Sequence, residues 1–362
     1  MTSAERVGVV GTGLIGTSIA MAAVRSGDAV RGFDVDPEVL SRSAERSGLV
    51  PASSLKECVT GATLVLVCTP IPSVPELVGE VLRLAPDAVV TDVASVKSHV
   101  KLEVEAAADG SDLARYVGGH PMGGSERSGP DHASASVLDG AVWVVDETAA
   151  PEALERLEAW IAKVGARPVR LPVERHDRLV AMVSHLPQVA STALMGLAAA
   201  EEAGEPEILL LAAGGFRDLT RLAASNPHLW SDILLANRAA IVRAIDLYVA
   251  RLTGLRDIVV AEDAAEVERA FAESKQARLS LAAKPQVKAG VAVLQVPVPD
   301  RPGVLAEVTA TMSEAGVNIE DLPIVHSPEG GPGTVHLTVA AGAAQDAERA
   351  LRERWFEPLR LA

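Results

Sequence analysis

Residues 7–34 read VGVVGTGLIGTSIAMAAVRSGDAVRGFD. An apolar run, 7–10, enters Gly11-Thr12-Gly13-Leu14-Ile15-Gly16, and an apolar helical stretch follows to Arg25. A G-x-G-x-x-G string alone is weak evidence; a strand before it and a helix after it make it a dinucleotide fingerprint. Gly11 permits the tight turn, Gly13 lets the backbone approach a pyrophosphate, and Gly16 lets helix and strand pack closely. The helix start then offers unpaired N–H groups to the phosphates. The next strand ends at Gly32-Phe33-Asp34, which puts a carboxylate where the adenosine ribose hydroxyls bind. Asp34 repels a 2′-phosphate, so NAD is expected over NADP, although Arg42 downstream is a cation that a 2′-phosphate could use. The plainer reading, a glycine turn with a surface aspartate, does not account for the strand and helix around it.

Outward from this unit, apolar runs alternate with amphipathic stretches as far as residue 171, with strands expected at 7–10, 29–33, 63–68, 88–92, 115–118, 142–145 and 168–171. That rhythm describes an α/β, Rossmann-type doubly wound parallel sheet with helices on both faces. From 173 to about 281 the pattern is helical, with breaks at Gly204, Pro206, Gly214, Gly215 and Pro227. Its helices are apolar on more than one face, as at a subunit interface, so a homodimer is expected. Lys284-Pro285-Gln286 reads as a linker, and strands at 291–298, 319–326 and 334–339 with helices at 304–315 and 343–352 make a small βαββα module. The expected domains are 1–171 (nucleotide-binding), 172–285 (helical and dimerising) and 286–362 (the small module).

The chain has 362 residues, 48% hydrophobic and 22% charged, with a net charge of −15. The composition is globular, and with no basic run it excludes a nucleic-acid partner. An anionic substrate needs local arginines to reverse the average field. The two cysteines, Cys58 and Cys68, form no disulfide framework or metal motif, so a reducing compartment and no metal are expected. The N-terminus enters a strand at once without a signal-like segment, which points to the cytoplasm. Residues 179–200 are apolar but carry Ser184, His185, Pro187 and Gln188, so a buried helix is expected there rather than a membrane span.

Asp92-Val93-Ala94-Ser95-Val96-Lys97 and Gly118-Gly119-His120-Pro121-Met122-Gly123-Gly124-Ser125-Glu126 each follow a strand, at the carboxyl ends where open α/β sheets bind ligands. A loop histidine is commonly incidental; His120 stands out because glycines and prolines fix its backbone on both sides. In the helical region His176-Asp177 and Ser184-His185-Leu186-Pro187-Gln188 must line a cleft or be satisfied by neighbours. Arg217 and Arg221, four residues apart, share a helix face; they are anion-binding candidates or, more plainly, solvated surface charges.

These strings, with GGFRDLTRLAASNP at 214–227, resemble the prephenate and arogenate dehydrogenases over residues 6–280. The resemblance implies that a cyclohexadiene substrate loses a hydride to NAD and its ring carboxylate as CO2, becoming aromatic. It implies that His120 takes the proton of the ring hydroxyl, that Ser95 bonds the same hydroxyl or orients His120, and that Arg221 pairs with a substrate carboxylate. Ser184 and His185 line the pocket, Glu126 guards its entrance, and Thr69 and Pro70 join Gly11 to Gly16 and Asp34 around the cofactor. Several family members carry histidine where this chain has Gln188, which leaves prephenate, arogenate and 4-amino-4-deoxyprephenate open as substrates.

Residues 293–319, with Asp300-Arg301-Pro302-Gly303 ahead of a helix and Gly316-Val317-Asn318-Ile319 entering a strand, are similar to the ACT domain, an amino-acid sensor. The likeness implies tyrosine held by Asp300, Arg301, Gly303 and Asn318; the alternative is a module kept only for assembly. Two other classes compete for the whole chain. β-Hydroxyacid dehydrogenases use a lysine of their helical domain, but none occurs here between Lys163 and Lys275. An NAD-binding redox sensor has no need of the His120, His185 and Arg221 set.

Overall fold

In the computed structural model, residues 4–123, 128–202, 204–282, 291–299, 301–322, 324–325 and 333–361 are described. Glu126, Asp300 and the linker at 284–286, all singled out from the sequence, lie outside them. The chain forms two compact units, Met1–Gly204 with Leu219–Val249, and Glu205–Asp218 with Ala250–Ala362. The helical region is thus shared between the two.

The first unit opens with β1 (Arg6–Val10), α1 (Leu14–Arg25), β2 (Ala29–Phe33), α2 (Pro37–Ser47), β3 (Val50–Pro51), α3 (Leu55–Val59), β4 (Leu64–Val67), α4 (Val74–Leu84), β5 (Val89–Asp92), α5 (Ser98–Ala107) and β6 (Tyr116–Val117). The strands lie in the order β3-β2-β1-β4-β5-β6, all parallel. Val9, Val65, Leu66 and Val67 are fully buried, as expected of central strands covered on both faces.

The expected single sheet is corrected in one respect. At Gly118 the chain leaves it, and β7 (Gly119–Pro121), β8 (Val142–Asp146) and, after α6 (Pro151–Lys163), β9 (Arg167–Leu171) form a separate three-stranded sheet. A Cβ at Gly119 would come within 2.8 Å of the Asp92 carbonyl oxygen and of Thr91 Oγ1 and within 2.9 Å of Trp143 Nε1. Only glycine lets β7 cross so close to β5. His120, expected on a loop, is therefore a strand residue paired with Val144 of β8.

Next come α7 (Val173–Val180), α8 (Leu186–Glu201), α9 (Glu207–Leu210), α10 (Gly214–Thr220), α11 (Pro227–Ala236), α12 (Arg238–Val260) and α13 (Ala264–Ala282). One π-helical turn, Ala181–His185, joins α7 to α8. Pro187 lacks an N–H and crowds the carbonyl one turn back, and the wider π turn absorbs both effects. The run Val173–Glu201 is long and apolar enough, by length and composition, to cross a membrane. Its buried polar groups, however, bond to residues of their own unit, as described below. In the second unit, β10 (Val291–Val298), α14 (Val304–Glu314), β11 (Ile319–Asp321), β12 (Ile324–Val325), β13 (Gly333–Ala340), α15 (Ala344–Glu353) and β14 (Leu359–Leu361) build an antiparallel sheet with its own core around Leu294, Met312 and Leu337. The final strand, β14 against β10, extends the expected βαββα order.

Candidate active site

The cofactor loop has the conformation that its glycines foretell. Gly11 has φ +88°, and a Cβ there would meet the Cys68 backbone at 2.8 Å. At Gly16 a Cβ would lie 2.0 Å from the Gly11 carbonyl oxygen, whereas nothing stands within 4 Å of Gly13. The start of α1 at Leu14 and Ile15 has no side-chain cap, which leaves a bare helix N-terminus for an anion. Beyond β4, ahead of Pro70, Thr69 buries a hydroxyl oxygen with no partner. Asp34 accepts from the Thr12 N–H at 2.7 Å, the Thr12 hydroxyl at 3.2 Å and the Asp36 N–H at 3.0 Å, so its carboxylate is held at the lip of the loop. Arg42 is engaged by Asp131 at 2.8 Å. These residues fit an adenine dinucleotide lacking a 2′-phosphate.

On β7, His120 Nδ1 lies 2.8 Å from His176 Nε2, and His176 Nδ1 lies 2.8 Å from Asp177 Oδ1. Asp177 Oδ1 also accepts from the Lys97 N–H, and Oδ2 from the Ser98 N–H, each at 2.8 Å. Asp177, on α7, thereby caps the start of α5, where a carboxylate is favoured by the helix dipole. Burial, the largest effect, pushes the Asp177 pKa up, but the bonds from His176, Lys97 and Ser98 together hold it below the usual value. An ionised carboxylate can only accept, so His176 donates from Nδ1 and its Nε2 lone pair accepts from His120 Nδ1–H. The chain of bonds leaves His120 Nε2 as a bare lone pair. Burial first, then the neighbouring His176, Lys97 and His185, push the His120 pKa well below 6.5 against an opposing pull from Asp177, so the ring is neutral at neutral pH.

Beneath β7, Lys97 and Asp92 form an ion pair, the two being 2% and 0% exposed. Lys97 Nζ also donates to the Gly119 carbonyl at 2.6 Å, and Asp92 accepts from Tyr116 Oη at 2.7 Å and from the Ala94 N–H at 2.8 Å. Every charge is matched, as burial demands, and the residue before His120 is pinned.

Ser95 occupies the bend between β5 and α5, partly buried, with no hydrogen bond to His120; the Nδ1 partner is His176. Ser184 lies on the π turn, partly buried. His185 is 1% exposed, receives a 3.2 Å contact from Asn237 Nδ2 and packs edge-on against Trp230; burial first lowers its pKa to about 4. Asn237 also donates to the Asp177 carbonyl at 2.9 Å. Gln188 is buried against the turn that carries Arg221. Arg217 and Arg221, expected on one helix face, are separated: α10 ends at Thr220, and Arg221 opens a 3₁₀ turn. Lys97, Tyr116, Trp230 and Asn237 were not marked out by the sequence reading. Lys97 stood within a quoted motif, but Asn237 carries no local signal.

In the second unit, Gly303 has φ +89° ahead of α14. Arg301 is held in a two-pronged pair with Glu307 at 2.8 and 2.6 Å, and Asn318 donates to Glu320 at 2.8 Å. Burial raises the pKa of both cysteines, that of Cys58 to about 12, and the site uses neither.

Comparison with known proteins agrees with this geometry. Residues 19–170 match the model for the prephenate dehydrogenase nucleotide-binding domain, 172–273 that for the prephenate dehydrogenase dimerization domain, and 292–354 the ACT domain. The chain is 32% identical over 331 residues to the prephenate dehydrogenase of Bacillus subtilis, covering 88% of each chain. It is also 32% identical over 288 residues to the cyclohexadienyl dehydrogenase of Zymomonas mobilis, covering 78% of this chain and 97% of that one. The crystal structure of prephenate dehydrogenase from Aquifex aeolicus, in complex with hydroxyphenyl propionate and NAD+, superposes with a TM-score of 0.72 at 27% identity, over 77% of this chain and 99% of that one. With its nucleotide loop, its dimerization region and its ACT module in that order, the chain belongs to the prephenate dehydrogenase family.

Proposed function

We propose that this protein oxidatively decarboxylates prephenate to 4-hydroxyphenylpyruvate in tyrosine biosynthesis, with His120 as the base. The chain is an NAD-dependent dehydrogenase. The observation that carries the assignment of the base is the Asp177–His176–His120 series, which leaves a neutral imidazole with Nε2 as its acceptor nitrogen, on β7 just past the end of β6.

Gly11 to Gly16 and the bare start of α1 would hold the pyrophosphate of NAD, Asp34 its ribose hydroxyls, and Thr69 and Pro70 its nicotinamide half. When bound, NAD+ supplies the hydride acceptor. His120 Nε2 takes the proton of the ring hydroxyl as that carbon loses its hydride and becomes a carbonyl; the ring carboxylate leaves as CO2, its bonding pair completes the aromatic ring, and the ring oxygen regains the proton to give the phenol. Aromatisation then makes the step irreversible. Arg221 pairs with a substrate carboxylate in the fork geometry that guanidinium favours. Ser95, Ser184 and His185 are the further groups proposed to meet the substrate, and Glu126, proposed at the entrance, lies outside the described residues.

The proposed division into 1–171, 172–285 and 286–362 keeps these roles apart: cofactor, substrate and dimerisation, and control. The exposed Leu197, Leu235, Val242 and Leu247 on α8, α11 and α12 support a homodimer. Tyrosine is the proposed ligand of the ACT module, with Asp300, Arg301, Gly303 and Asn318 around it, and the cytoplasm the proposed compartment.

The test is a comparison of prephenate, arogenate and 4-amino-4-deoxyprephenate with NAD and NADP, followed by absorbance of the reduced cofactor. Prephenate with NAD should give the highest kcat/KM. A higher value for arogenate or the amino compound would reassign the substrate, and no turnover of any would favour a sensor.

A further inference from the structure

We propose that Gln188 acts through Arg221, as a clamp on the turn that carries it, and does not read the substrate side chain. The proposal rests on Arg221 being the carboxylate-binding group.

Gln188 sits on α8 and is 5% exposed. Its Nε2 lies 2.8 Å from the Leu222 carbonyl, and its Oε1 accepts from Ser225 Oγ at 3.2 Å. A carbonyl can only accept, so the amide nitrogen must face Leu222, and that fixes the orientation of the whole group. Leu222 and Ser225 bracket the 3₁₀ turn Arg221–Ala224, none of whose residues is buried. Inside the turn, the Ser225 N–H closes on the same Leu222 carbonyl at 3.0 Å.

A four-residue 3₁₀ turn has weak hydrogen-bond geometry and little persistence of its own. Gln188 bonds both ends of the turn, at the Leu222 carbonyl and the Ser225 hydroxyl, and so helps to set its seat against α8. The second N–H of Gln188 faces Thr192 Oγ1 at 3.5 Å, the outer limit of a hydrogen bond. Both polar ends are therefore committed to protein. A residue used in this way sets how well Arg221 is presented, and contributes equally to any substrate that carries the carboxylate.

The experiment is a set of steady-state measurements on the full-length enzyme, with KM, or Ki for a compound not turned over, for both prephenate and arogenate. Gln188→Leu should raise both constants about tenfold, the loss expected when a buried hydrogen bond to a carbonyl is removed, with kcat much less affected. Ser225→Ala, which leaves the buried amide in place, should move both the same way by less and covers the case in which Gln188→Leu folds poorly. In an Arg221→Ala background, Gln188→Leu should add nothing further, since residues acting as one unit are not additive. A shift in the ratio of the two constants would overturn the proposal, because the amide would then be reading the side chain. Additive losses in the double variant would overturn it too. An Arg221→Ala enzyme with unchanged KM would instead remove the premise about Arg221, and is told apart by being visible in that single variant.

Discussion

His120 and His176 meet with ring nitrogens 2.8 Å apart and rings nearly perpendicular, at 81°. A single N–H lies between the two ring nitrogens, and its direction is set by Asp177 behind. His120, the proposed base, is thus the outer member of a three-residue series that joins the nucleotide-binding fold to the helical region. Its tautomer follows from a carboxylate two side chains away.

His120→Asn should lower kcat by roughly 10²- to 10⁴-fold, the usual worth of a general base, with NAD binding nearly unchanged. His176→Phe keeps the ring volume but lets the His120 tautomer scramble, and a smaller kcat loss is expected. Because the base works in its neutral form, activity is present above its pKa. The acid limb of kcat/KM should lie well below pH 6.5 in the wild type. A limb at or above that value would mean that His120 is not buried as described.

Asp177→Ala would strand the Lys97 and Ser98 N–H groups and remove the partner of His176. A loss of about 2–4 kcal/mol is expected in denaturant unfolding. The Asp177 pKa is lowered in the fold, so its stabilisation is present above the unfolded carboxyl value of 3.8 and is lost as pH falls through the folded one.

His185 gives a separate pH signature. Its folded pKa of about 4 lies below the ordinary 6.5, so between those values the unfolded chain holds a proton that the folded one lacks. Stability should therefore decline as pH falls from 6.5 towards 4. Denaturant midpoints at several pH values would check this, and His185→Gln should make the decline shallower.

Asp34→Ala should weaken NAD and raise relative use of NADP, since it removes a ribose acceptor and a negative charge. The double variant with Asp131→Ala, which releases Arg42, should go further. Cofactor KM ratios decide; a wild type that already prefers NADP would contradict the reading of this strand end.

Tyrosine should lower activity of the full chain, and Asn318→Ala or deletion of residues 287–362 should leave an active enzyme that tyrosine no longer inhibits. The module has a self-contained core, so removing it should not unfold the rest. Inhibition that survives the deletion would mean competition at the active site.

The nucleotide loop was legible because its glycine spacing belongs to one strand–turn–helix unit: Gly11 takes a positive φ, Gly16 packs on the Gly11 carbonyl five residues back, and Asp34 closes the next strand. The sheet was legible less completely. Gly118-Gly119 was visible, but the departure into a second sheet depends on Asp92, Thr91 and Trp143 crowding Gly119, which no period-two pattern reports. The reading of His176-Asp177 as polar groups needing partners was sound, yet the identity of the partners was hidden by 56 residues of separation from His120. The π turn and the Arg217–Arg221 break were missed because both arise from how α7 and α10 end, and a helical repeat runs through either without a mark.

The Asp177 carboxylate grips the first turn of α5 with one oxygen and, through the other, both that turn and His176. It works as a shared anchor: a displacement of α7 from the start of α5 that broke these bonds would also remove the carboxylate that sets the tautomers of His176 and His120.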